Sequence, residues 1–276
     1  MAFVLIKGWF VPGAGIPDGD SVRFRARNTR LWAKLDGKPV QIGKGKKTKG
    51  TVQLRFEGID AIEKGAIMPL STKARDNMLK LIRYEKEIEP EPEGYVLARM
   101  TDDRSGRPIC FAYAGKTIEH DGSANVYLDP SRLARSVNFK QMANGYAYPL
   151  YYNTLLTSLR EKFTDALKNA RRRKLGYWPS DSTRKGVTVR KTEDLARIAP
   201  IWPKLWRRLQ EYLKDHNSLD DFIPFLEKKK ERVDLLTLME ERGLHDIVTV
   251  KGNTVALTEP PENIRVVGKV GRRNRQ

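Results

Sequence analysis

The chain has 276 residues, 39% of them apolar and 31% charged. That is enough apolar material to bury one large core or two smaller ones, and it excludes a chain held open by its own charge. Lys and Arg number 52 against 34 Asp and Glu, a formal charge of +18, so a polyanion is the expected partner. No apolar run reaches transmembrane length and no lipidation signature is present, which sets the membrane aside. Cys110 is the single cysteine. The fold therefore lacks an internal disulfide, and with no secretory leader read at the start, the cytoplasm is the expected compartment.

Phe3 to Val11 predicts a first strand. Val22, Phe24 and Ala26 alternate with Arg23, Arg25 and Arg27, the period of a half-buried strand. A Gly/Lys-rich stretch, Gly43 to Gly50, reads as a hairpin tip or a phosphate contact. Val52, Leu54 and Phe56 then alternate with Gln53, Arg55 and Glu57 in a third strand, and residues 95–99 and 109–113 predict two more. Helical spacing covers 71–83, with Ala74, Met78 and Leu81 on one face. It returns at 137–144, where Ser136 suits an N-cap and Gly145 a stop. The longest helix falls in 154–174, with Leu155, Leu159, Phe163, Ala166 and Ala170 in one stripe. Its basic end, Arg171 to Lys174, complements the helix C-terminus.

A polar stretch from Pro179 to Gly186 predicts a domain boundary, with residues 1–180 before it and 181–276 after. Trp202, Leu205, Trp206, Leu209 and Leu213 predict an amphipathic helix, and 225–242 another. Ile247 to Leu257, turning at Lys251-Gly252-Asn253, reads as a β-hairpin. Lys269, Arg272, Arg273 and Arg275 form a basic tail. The second unit is thus expected to be mainly helical. Its expected task is to tune nucleic-acid binding or to hold a protein partner, without taking part in bond cleavage.

Three elements carry chemistry. Asp18-Gly19-Asp20 is a turn before the second strand. Arg55, Asp60 and Glu63 follow one another where the third strand ends. Asp103 to Arg107 is a tight turn feeding the strand at 109–113. Phosphodiester hydrolysis needs a hard cation on carboxylates to offset the phosphate charge, and a carboxylate to orient or deprotonate water. It also needs guanidinium forks to hold the in-line transition state. Asp20, Asp60, Glu63, Arg55 and Arg107 would supply these parts.

The ordered set resembles the staphylococcal nuclease (thermonuclease) family over roughly residues 1–180. The resemblance rests on Asp18-Gly19-Asp20, on Arg55 followed by Asp60 and Glu63, and on Gly106-Arg107. It extends to Val137-Asn138, Asn144-Gly145-Tyr146-Ala147 and Leu175-Gly176-Tyr177-Trp178. It implies an α+β fold, a five-stranded OB-type β-barrel with packed helices. It also implies a Ca²⁺-dependent nuclease acting on DNA and RNA and leaving 3′-phosphate ends. By position, Asp20 and Asp60 would be metal carboxylates and the Ala61 carbonyl a further ligand. Glu63 would act on water, and Arg55 and Arg107 would clamp phosphate. Arg104 in the same turn is a candidate nucleic-acid contact. Tyr151, with Tyr152 beside it, falls near the family's base-contacting tyrosines, and both also suit packing. Two departures stand out: Ile62 occupies a position usually held by Pro, and Ser105 one usually held by an aromatic residue. The competing function is a non-catalytic nucleic-acid-binding barrel, from which a retained Arg55, Glu63 and Arg107 would distinguish an enzyme.

Overall fold

The computed structural model describes residues 2–64, 66–85 and 91–268. The basic tail lies outside the described residues. In chain order the strands and helices are β1 (Ala2–Phe10), β2 (Arg23–Ala26), β3 (Val52–Gln53), β4 (Arg55–Phe56), β5 (Gly58–Asp60), α1 (Leu70–Leu81), β6 (Glu93–Thr101), β7 (Pro108–Ala114) and β8 (Val126–Tyr127). They continue with α2 (Pro130–Arg135), α3 (Val137–Ala143), β9 (Tyr148–Tyr152), α4 (Thr157–Arg172), β10 (Val187–Thr188), α5 (Pro203–Tyr212) and α6 (Phe222–Lys228). The last strands are β11 (Arg232–Leu235), β12 (Glu240–Gly243), β13 (Val248–Lys251), β14 (Thr254–Leu257) and β15 (Ile264–Val266). The fold is α+β, and no helix among the described residues is long and apolar enough to cross a membrane.

The chain divides into two compact units. The first, a barrel unit, comprises 2–57 and 75–141; the second comprises Gly58–Ala74 and Met142–Gly268. This differs from a boundary at Pro179–Gly186. Residues on both sides of that stretch share one unit because they are bonded to each other. The Trp202 indole N–H donates to the Pro149 carbonyl at 2.9 Å, the Tyr148 hydroxyl donates to Asp181 at 2.7 Å, and β15 pairs in parallel with β9.

In the barrel unit the strand order is β3-β2-β1-β6-β7-β4, with β8 on β1. The edges β3 and β4 are separated in sequence by Leu54 alone, so the sheet must curl until its edges meet, giving a nearly closed barrel. Bonds from Leu54 N–H to Val22 O and from Phe56 N–H to Asp20 O carry this closure along the seam. The sheet has seven strands, more than the five expected. The alternation read in the sequence holds: Val22, Phe24, Val52, Leu54 and Phe56 are buried, while Arg23, Arg25, Gln53 and Arg55 reach partly outward. Asn138 on α3 locks the helix to the sheet. Its side-chain amide donates to the carbonyls of Glu57 and Cys110, and its oxygen accepts from the Ala112 N–H, all at 3.0 Å. Ser136 caps α3 through the Phe139 N–H.

The second unit is not mainly helical. It holds a sheet of order β12-β11-β15-β9-β5 and a smaller one of order β10-β14-β13. The hairpin expected at 247–257 is present as β13 and β14. The helix expected over 225–242 is not: α6 ends at Lys228, and β11 and β12 form an antiparallel hairpin. Val233 and Leu235 point inward with the period of a strand, a signal too short to separate from helical spacing. α4 buries Leu159, Phe163, Ala166, Leu167 and Ala170 as its stripe requires. Its basic end is structural in part, since Arg171 forks onto Glu262 and lies 4.7 Å from the Trp178 ring centroid. Gly176 has φ +55°, and a Cβ there would come within 2.1 Å of the Gly145 carbonyl oxygen. That close approach explains why glycine stands in the Leu175–Trp178 stretch.

Candidate functional site

The sequence-derived site residues fall into two groups. Asp20, Arg55 and Arg107 belong to the barrel unit; Asp60, Ala61 and Glu63 belong to the second unit.

In the barrel unit, register brings the first group onto neighbouring segments. The Asp20 carbonyl accepts from the N–H of Phe56, next to Arg55, and Arg55 stands opposite Ile109 on β7, two residues after Arg107. Asp18 shapes the Asp-Gly-Asp turn by accepting from the Asp20 N–H at 3.2 Å. The turn before β7 is organised by Asp102. It accepts from the Ser105 N–H (2.6 Å), the Ser105 hydroxyl (2.8 Å) and the Arg107 Nε (2.9 Å). Burial pushes the Asp102 carboxyl up, and these bonds outweigh it and hold the group below its ordinary range. Ser105 therefore has a definite task here: its hydroxyl also accepts from Arg107 Nε at 3.0 Å and helps orient that guanidinium. Gly106 at φ +67° makes the turn possible, because a Cβ there would meet the Pro39 carbonyl at 2.5 Å. Arg104 is exposed on the same turn.

In the second unit, Asp60 ends β5 and is buried, with its backbone paired to Tyr148 of β9. Ala61 and Ile62 are buried, and the Ile62 N–H donates to the Tyr177 hydroxyl at 3.4 Å. A proline at 62 could not make that bond. Glu63 is partly exposed. The residue that joins the two carboxylates is Arg207 of α5. Its Nη1 donates to Asp60 Oδ1 at 2.9 Å and to Glu63 Oε1 at 2.7 Å, while Nη2 donates to Asp60 Oδ2 at 2.7 Å. Burial works against the Arg207 charge, and the two carboxylates more than offset it, so the guanidinium is held firmly protonated.

The arrangement can be tested against a divalent cation. All the donors are oxygens, which suits a hard ion, and Asp60 and Glu63 aim at one shared point of positive charge. Both Asp60 oxygens, however, are engaged by Arg207. Among the described residues no group of three or more His, Cys, Asp or Glu gathers as a metal cage. The pair therefore fits a cation in chemistry and direction, and the cation it holds is a guanidinium.

Two expectations change. Tyr151 is fully buried, packed near Phe163 and bonded to the Thr164 hydroxyl, so its ring is a core element and offers no face to a base. Tyr152 is half-buried. Residues 181–268 are not remote from the expected machinery, because α5 supplies Arg207. Sequence reasoning missed Arg207 for a physical reason. It lies off the apolar stripe of its helix and 147 residues from Asp60, and no local spacing links the two. Tyr177 was legible only as part of the Leu175–Trp178 stretch.

Compared with known proteins, the chain matches no family model and no curated protein.

Proposed function

We propose that this protein hydrolyses phosphodiester bonds in DNA or RNA with the help of one Ca²⁺-like cation, on an OB-type barrel of the staphylococcal nuclease kind. The observation that carries the reading is the convergence of Asp60 and Glu63 on a single cationic nitrogen. Two carboxylates held at one point, one of them buried, create a local demand for positive charge that a hard cation would meet. When bound to Asp60, with Asp20 and the Ala61 carbonyl as its further ligands, such an ion would offset phosphate charge and polarise the phosphoryl oxygen. Glu63 orients and deprotonates the attacking water. Arg55 and Arg107 donate to the phosphoryl oxygens, and 3′-phosphate ends result. Support for Arg107 comes from its Nε, which is fixed by Asp102 and Ser105 and so pre-orients the fork. The charge of +18 favours encounter with nucleic acid. A buried, unpaired Cys110 suits a reducing compartment such as the cytoplasm.

A second reading, a barrel that binds nucleic acid without cutting it, is favoured by one observation: Arg207 already neutralises the acidic pair. Incubating the purified protein with plasmid and with RNA, in Ca²⁺, in Mg²⁺ and in excess chelator, separates the two. The enzyme reading expects cleavage that chelator abolishes. Retention of nucleic acid in a binding assay with no cleavage in any condition selects the binder.

A further inference from the structure

Arg207 is held in place by its helix. The α5 segment is pinned by the Trp202 indole on the Pro149 carbonyl and by the Trp206 indole on the Leu195 carbonyl. Lys204 and Arg208, flanking Arg207, both bond to Glu231 at 2.7 Å. The backbone of Arg207 is thus fixed, while its side chain keeps 32% of its exposure and reaches water. It takes both Asp60 oxygens and one Glu63 oxygen. A Ca²⁺ ion binds carboxylate oxygens at about 2.3–2.6 Å, so an ion on Asp60 would crowd the positions of the guanidinium nitrogens, and the two positive charges would repel. Contact with Arg207 and contact with a divalent cation exclude each other at this pair.

We propose that Arg207 is an internal competitor for the cation site: the guanidinium holds the Asp60–Glu63 pair when cation is scarce and swings toward solvent when a divalent ion binds. This rests on the proposed nuclease reading for the identity of the ion. The exchange needs only torsions of one long side chain, since the helix that carries it stays pinned. By linkage, whatever draws Arg207 off the pair raises cation affinity, and the cation weakens the hold of Arg207 by the same factor. A polyanion that pairs with the released guanidinium would act in the same sense, so that substrate and cation would favour each other's binding.

The test uses the full chain and Ca²⁺ alone. Wild type, Arg207→Gln and the double variant Asp60→Asn/Arg207→Gln are melted in excess chelator and in millimolar CaCl₂, and Ca²⁺ binding is titrated calorimetrically. In chelator, Arg207→Gln should melt lower than wild type, because two carboxylates lose their partner. Ca²⁺ should then raise its midpoint by about 5 °C or more, with a smaller rise in wild type. Its Ca²⁺ affinity should exceed that of wild type about tenfold or more. The double variant should lose the response. An equal Ca²⁺ affinity in wild type and Arg207→Gln overturns the proposal, as does an Arg207→Gln protein that ignores Ca²⁺. Should Arg207→Gln fail to fold in chelator, Arg207→Lys keeps the charge and loses the fork. It must then bind Ca²⁺ more tightly than wild type, and equality refutes the idea. An Arg207→Gln protein that binds Ca²⁺ tightly and cuts nothing would count against the nuclease reading while leaving this inference intact. A cutting, Ca²⁺-dependent wild type with unchanged affinity in the variant would do the reverse.

Discussion

The two units treat a buried carboxylate in opposite ways. In the barrel unit, Glu57 is buried with one 3.1 Å bond from Arg99, and its second oxygen has no hydrogen-bond partner. Burial dominates the pull of Arg99, and the carboxyl is pushed above its ordinary value. In the second unit, Glu231 receives Lys204 Nζ, Arg208 Nε and Arg208 Nη2, each at 2.7 Å. Burial again opposes the charge, but the paired bonds win and bring the group down to about 2. Depth alone does not set the sign; the number and geometry of charged donors do. The barrel holds its shape by a closed ladder and an apolar interior, whereas the second unit spends many of its polar contacts on α5, the helix that carries Arg207.

The largest effect tests whether the second unit is a unit at all. A chain ending after Ser180 loses β15, the parallel partner of β9, and the Trp202 side chain bonded to Pro149. It should be insoluble or melt well over 10 °C below the full chain, given that loss of one buried tryptophan alone costs about 3–5 kcal/mol. A soluble truncation with an unchanged midpoint would show that the units divide near 180 after all. Next in size are the catalytic groups. Arg55→Lys and Arg107→Lys in the barrel unit, and Glu63→Gln in the second, should each slow cleavage by about two to four orders of magnitude. Single-turnover rates on a labelled oligonucleotide measure this. A wild-type rate in any of the three removes that residue from the mechanism.

The pH response sharpens the contrast between the units. Glu231 has its folded pKa depressed from 4.5 to about 2. Its stabilisation, on the order of 2 kcal/mol, is present above the unfolded value and is lost as pH falls through that interval. Glu57 has the opposite sign: its folded pKa lies above 4.5, so its contribution is full below that value and declines as pH rises through the folded pKa. Denaturant melts of Glu231→Gln and Glu57→Gln against pH should lose these two slopes separately. Parallel slopes in both variants would contradict the comparison. The smallest expected effect is Ser136→Ala, which removes the cap of α3 and should cost about 1 kcal/mol, read from its denaturation midpoint.

The barrel was legible because its strands alternate. Val22, Phe24 and Ala26 against Arg23, Arg25 and Arg27 can form a half-buried strand and little else, and the tight turns at Asp18–Asp20 and Gly106 announce themselves through glycine and aspartate. The curl of the sheet was not legible as a strand count, since β3 and β4 are two-residue segments parted by one leucine. In the second unit, Val233 and Leu235 give too short a pattern to tell a hairpin from a helix, and the polar stretch at 179–186 reads as a linker although Asp181 and Thr183 are tied into the core beside Tyr148 and Trp202. Of the site, Asp60 and Glu63 were readable from local spacing. Arg207 was not, because an ion pair between distant segments leaves no periodicity in either of them.

The account depends most on the acidic pair being a cation site that serves bond cleavage. Single-turnover cleavage of a short DNA and a short RNA by the intact protein, followed as free Ca²⁺ is raised from excess chelator to millimolar levels, tests that directly. The predicted result is a saturable rise from no cleavage in chelator, ending in 3′-phosphate products and lost in Asp60→Asn. Cleavage at full rate in chelator, or no cleavage at any Ca²⁺ concentration, would contradict it.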